Sequence, residues 1–226
     1  MDAEFALKQS LVDLLNRGEK VQAYRIACLH RHDGFNKAST GYQMALACLL
    51  YDDLATATEI FEETIRAEGF TDHMRADWYR DMALYYIRLT QRQPDEYKSD
   101  RAMTYLMQMD TLRAHELKDL NKLAADELAW GRYYLSLQQL DSAEAKFRSA
   151  YRRLEGYWPR DEQYFLNITF WQAFISTLQS RDRSRYWRMK VIRSDRSKKR
   201  VLLMRVLNRT PRSAHRRILL AALRQM

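Results

Sequence analysis

Apolar residues recur three and four positions apart along most of the chain, the periodicity of helices that bury one face. Interruptions of that pattern mark nine predicted helices. Gly18 separates a first helix over 3–16 from a second over 19–32, which His32, Asp33 and Gly34 bring to an end. A third covers 38–51. Asp52 and Asp53 are suited to cap a fourth over 54–67, and Gly69 closes it. The fifth, 73–91, has to stop ahead of Pro94, because proline cannot continue a helix. Helices over 98–115, 119–137, 140–155 and 160–179 follow, with Gly156 and Pro159 at the last junction. The expected fold class is all-α.

Helices of similar length joined by short turns invite a search for internal repetition. Gly131, Tyr134, Ala143, Phe147 and Ala150 form one unit: small residues that let backbones approach, and aromatic rings that fill the space between them. The spacing returns as Ala45, Cys48, Ala57, Phe61 and Thr64. It returns again as Ala83, Tyr86, Ala102, Leu106 and Met109, with extra residues between the helices, and more faintly as Leu11, Leu14, Ala23, Ala27 and His30. One such pair cannot bury its apolar face alone, so neighbours must stack.

Across about residues 3–157 this pattern resembles the tetratricopeptide-repeat family. It departs from that family in placing Trp130 later in the unit than the family's tryptophan and Glu155 where the family has proline. The resemblance implies a right-handed TPR-like α-solenoid of antiparallel helix pairs over 1–180, with a groove lined by the first helix of each pair. The groove positions it implies are Lys8, Val12, Ser39, Tyr42, Leu46, Asp77, Arg80, Leu84, Arg88, Leu128 and Arg132. It implies a scaffold or adaptor that holds a protein or peptide partner. Val12 stands where the family's carboxylate clamp has asparagine, so capture of a chaperone tail is not expected.

Charge changes the picture at the C-terminus. The chain has 226 residues and a net charge of +9. Sixteen of its 38 Lys and Arg residues, but only two of its 29 Asp and Glu, lie in 181–226. That segment therefore carries +14 and the first 180 residues −5. In it Arg183, Arg185, Arg188, Lys190, Lys198, Lys199 and Arg200 interleave with Tyr186 and Trp187, a mixture able to contact phosphates and stack on bases. Val201, Leu202, Leu203, Val206 and Leu207, then Ile218, Leu219, Leu220 and Leu223, make the rest a basic amphipathic helical extension. It can cap the solenoid, bind nucleic acid, or lie on an acidic protein or membrane surface. The alternative function is thus a nucleic-acid-binding regulator acting through 181–217. Self-association through 1–16 or 201–226 would cover an incomplete terminal repeat.

No nucleotide-binding, metalloprotease or serine-hydrolase motif occurs. His30 and His32 point to different faces of a helix, and Asp52–Asp53 and Glu62–Glu63 read as caps or solvated pairs. No enzyme, cofactor or metal is expected. Cys28 and Cys48 read as buried free thiols in a reducing compartment. The N-terminal residues lack the pattern of a signal peptide, and no apolar run reaches membrane-spanning length, so a cytoplasmic location is expected.

Overall fold

The computed structural model describes residues 3–92, 96–114 and 119–155, together with 168, 171, 172 and 175. Its helices are α1 (Ala3–Arg17), α2 (Lys20–Leu29), α3 (Ala38–Tyr51), α4 (Leu54–Thr64), α5 (Asp72–Arg92), α6 (Glu96–Arg113), α7 (Leu120–Ser136) and α8 (Leu140–Leu154). Among the described residues there is no strand, only an isolated bridge between Lys37 and Glu68.

Side chains and backbone at the junctions explain most of the breaks. Of the two aspartates expected to cap α4, only Asp53 does so, its Oδ1 accepting the Thr56 N–H at 3.1 Å. Asp52 instead ends α3 with a left-handed backbone, φ 78°, a conformation that Asp tolerates better than most residues. Asp119 caps α7 by accepting the N–H groups of Asn121 and Lys122, each at 3.1 Å. Two helices, α2 and α4, stop three residues short of their expected ends. α2 gives way at Leu29 to a single tight turn over Arg31–Asp33. α4 ends at Thr64, because the backbone of Glu68 pairs outward, accepting from Ala38 and donating to Asn36 at 2.8 Å each.

Consecutive helices pack as pairs: α1 with α2, α3 with α4, α5 with α6, α7 with α8. The odd-numbered helices also pack on one another in series, α1 on α3, α3 on α5 and α5 on α7, while α2 lies against α3 and α6 against α7. Among the described residues the even-numbered helices form no comparable series.

Every small position of the clearest repeated unit is buried. Ala143, Phe147 and Ala150 are fully enclosed, and a Cβ on Gly131 would overlap the Phe147 ring. That ring stacks on Trp171 at 5.9 Å between centroids. Ile168, Trp171 and Ile175 are helical and buried on the α7–α8 pair, and Gln172 Nε2 donates to the Phe147 carbonyl at 3.2 Å. These positions fall within the ninth helix expected over 160–179. The remainder of that helix and the extension over 181–226 lie outside the described residues.

Among the described residues the apolar interior forms three clusters in chain order. One joins α1 to α5, the next joins α5, α6 and α7, and the last joins α7 and α8 to Ile168, Trp171 and Ile175. Tyr79, Tyr86 and Tyr105 border both of the first two, and Tyr134 borders the last two.

Candidate partner-binding groove

The groove positions expected from the sequence come from α1, α3, α5 and α7, the helices that pack in series. Lys8, Leu46 and Leu84 are half-buried. Tyr42 is buried, and its hydroxyl donates to Asp81 Oδ2 at 2.6 Å. Burial pushes that phenol well above its usual range, and the Asp81 carboxylate beside it adds to the effect.

Arg80 lies at the centre of an ionic cluster that joins three helices. Its Nη1 donates to Asp77 Oδ1 at 2.9 Å and to Asp126 Oδ1 at 3.4 Å, and its Nε is 3.9 Å from Asp81 Oδ1. Arg113, from the last turn of α6, closes the cluster. Its Nε donates to Asp126 Oδ2 at 2.9 Å, and Nη2 donates to Asp77. Lys122 Nζ stands 3.8 Å from Asp77 Oδ2. Three cations thus answer three carboxylates in a partly dry space. Burial opposes the charge on Arg80, but Asp81, Asp77 and Asp126 outweigh it and raise its pKa. For Asp126 the balance tips the other way. Burial pushes its carboxyl upward, and Arg80 and Arg113 only partly pull it back.

The other groove candidates face inward. Arg88 is 4 % exposed. Its Nη2 donates to the Leu49 carbonyl at 3.2 Å and to Asp52 Oδ1 at 2.6 Å, and its guanidinium lies over the Tyr85 ring at 5.3 Å. The Leu49 carbonyl is in the last turn of α3, where it also accepts the Asp52 N–H at 3.2 Å and where the helix dipole favours a cation. Arg132 is buried with its guanidinium over Trp171 at 5.4 Å, and Leu128 is buried in the α7–α8 cluster. Arg88 therefore ties α5 to α3 from within, while Leu128 and Arg132 pack toward α8 and Trp171.

Tyr42, Arg80, Asp77, Asp81, Asp126, Arg113 and Lys122 are brought into one connected set. Sequence reasoning did not single out Asp81, Arg113, Asp126 or Lys122. The spacing of Asp77, Arg80 and Asp81 on one helix face was the available signal, but nothing local ties Arg80 to Asp126. Most of the described aromatic residues are buried or pack half-buried against the interior. Trp78, Tyr85, Tyr133, Tyr151 and Trp171 are buried, and Trp130 donates its indole N–H to Asp110 Oδ2 at 3.0 Å.

Among the described residues no group of His, Cys, Asp and Glu is arranged to hold a metal ion, and no helix is long and apolar enough to cross a membrane. The nucleic-acid candidates Arg183, Arg185, Tyr186, Trp187, Arg188, Lys190, Lys198, Lys199 and Arg200 lie outside the described residues. No family model matches the chain, and neither a curated protein nor a solved structure does.

Proposed function

We propose that the chain is a tetratricopeptide-like scaffold that binds a protein or peptide partner along the face of its odd-numbered helices. The observation that supports this most is the unbroken packing of α1, α3, α5 and α7 without a matching series among the even-numbered helices. Layers spaced in this way curve, with the closely packed layer inside, and a concave helical face suits an extended segment or a helix.

The chemistry of that face narrows the partner. Leu46 and Leu84 offer half-buried apolar contacts on α3 and α5. Between these helices and α7 the charges of Arg80, Arg113 and Lys122 are already answered by Asp77, Asp81 and Asp126. A purely acidic ligand gains little there. An amphipathic segment gains more, placing apolar side chains on Leu46 and Leu84 and polar groups beside the balanced cluster.

The test selects peptides from a displayed library against the full chain. Leu46→Glu and Leu84→Glu are expected to weaken the selected peptides at least about tenfold, roughly 1.4 kcal/mol. Met107→Glu, on the exposed side of α6, is expected to leave them unchanged. Equal loss from all three substitutions, or none from the first two, would count against the groove.

A second reading rests on the +14 charge of 181–226: nucleic-acid binding through 181–217. Fluorescent RNA and DNA oligonucleotides should then bind the full chain and bind less well when Lys198, Lys199 and Arg200 are changed to glutamine. If about six phosphates are neutralised, affinity should fall on the order of a thousandfold between about 50 and 200 mM salt. Binding insensitive to both changes would reject this reading.

A further inference from the structure

The two cysteines of the chain are twenty positions apart, yet the helix register brings them to one level. Tyr24, midway along α2, stacks on Tyr51, the last residue of α3, with ring centroids 4.0 Å apart and planes 8° from parallel. The Tyr24 hydroxyl donates to Asp53 Oδ2 at 3.0 Å, fixing the same end. The middle of α2 thus meets the end of α3, and the Cys28 thiol lies beside that of Cys48, so the two helices run in opposite directions. One turn onward along α2 is Cys28, and about one turn back along α3 is Cys48. The facing residues Ala23 and Ala27 on α2 and Ala45 on α3 are fully buried, and side chains this small let the helices approach closely.

We propose that Cys28 and Cys48 are a redox pair, which peroxide converts into an internal disulfide joining α2 to α3. The two sulfurs have unequal roles. Cys48 is fully buried, whereas Cys28 is half-buried. Burial first, and then the neighbouring Cys28 and Asp53, push the Cys48 thiol up to about 12, so it stays protonated and unreactive toward oxidant. Cys28 is the side chain that an oxidant in solvent can reach.

With hydrogen peroxide as oxidant, the Cys28 thiolate attacks one oxygen. A sulfur–oxygen bond forms, the oxygen–oxygen bond breaks, and the departing hydroxide takes up the thiol's proton as water. Cys28 is then a sulfenic acid. The Cys48 sulfur attacks the Cys28 sulfur, a sulfur–sulfur bond forms, and the sulfur–oxygen bond breaks. The hydroxide leaves with the Cys48 proton as a second water. One peroxide is reduced by two electrons, and two thiols are oxidised to one disulfide. Because Cys48 starts protonated, the second step is the slow one.

The bridge would close the segment that contains the Arg31–Asp33 turn and tie the first helix pair to the second. Cross-linking of this kind stabilises a fold chiefly by restricting the unfolded chain.

The full chain is incubated with hydrogen peroxide, and its intact mass and non-reduced proteolytic peptides are measured. The expected result is a monomer lighter by two hydrogens, with the Cys28 and Cys48 peptides linked, restored by dithiothreitol and accompanied by a Tm higher by several degrees. Cys28→Ser should abolish the link without unfolding the protein, because that side chain is half-buried. In Cys48→Ala, Cys28 should gain oxygen instead. Oxygen added to wild-type Cys28 without a link, a disulfide between two chains, or thiols left intact while a urea-unfolded control oxidises would each overturn the proposal.

Discussion

Replacing Asp126 with alanine is expected to lower the free energy of unfolding by about 3–5 kcal/mol, the usual consequence of removing one member of a buried ionic set. Asp126 is 4 % exposed, and its two oxygens receive Arg113 and Arg80 from different helices. Without it Arg113 keeps Asp77 but loses the partner that fixes its position against α7. Both guanidiniums would then share the remaining carboxylates in a space that water enters poorly. Urea unfolding followed by circular dichroism measures the loss. A decrease below about 1 kcal/mol, the range of an exposed pair, would mean that the cluster relaxes into solvent.

Asp126→Asn separates acceptor from charge. The amide still accepts a hydrogen bond from Arg113, so the variant is expected to lose less than Asp126→Ala. Its pH dependence has a definite sign. Burial raises the Asp126 carboxyl above its usual value, so the folded protein holds this proton more tightly than the unfolded chain. The stabilisation from that proton is complete below the ordinary aspartate range and is lost as pH rises through the folded value. Wild type should therefore lose stability relative to Asp126→Asn as pH rises through that window. The opposite slope would mean that the two arginines, not burial, control the carboxyl.

Phe147→Ala is expected to cost a further independent 3–5 kcal/mol, roughly the range for emptying a buried aromatic site. The ring is fully buried. It occupies the space that the missing side chain of Gly131 leaves on α7, and its other face stacks on Trp171. Truncation would thus open a cavity that three segments line. Phe147→Leu keeps much of the volume and should lose less. If alanine costs no more than leucine, the site collapses readily and the packing of Ile168, Trp171 and Ile175 does not depend on the ring.

Much of this interior was legible in the sequence, because it is made of local signals. The small and aromatic positions of each repeated unit stand within one helix pair, and Gly131 with Phe147 needs only the spacing of α7 and α8 to be recognised. The helix breaks at Gly18 and Asp53 follow from turn and cap chemistry that acts over a few residues. The arginines were harder to read. Arg80, Arg88 and Arg132 look like surface residues until Asp126, Asp52 and Trp171 are known to face them, and these partners come from other helices. A guanidinium brought indoors by distant partners leaves no periodic trace. The expected end of α4 failed for a similar reason: Glu68 leaves the helix to meet Asn36 and Ala38, more than two dozen residues earlier.

The division of the apolar interior into three clusters has a consequence for cooperativity. Among the described residues no single apolar cluster contacts every helix, so the stability of one end reaches the other in part through residues that belong to two clusters. Tyr79, Tyr86, Tyr105 and Tyr134 occupy those boundaries. They act as couplers, and their packing sets whether the chain melts as one unit or opens from an end while the middle stays folded. An end that opens by itself does so at a cost well below that of unfolding the whole molecule.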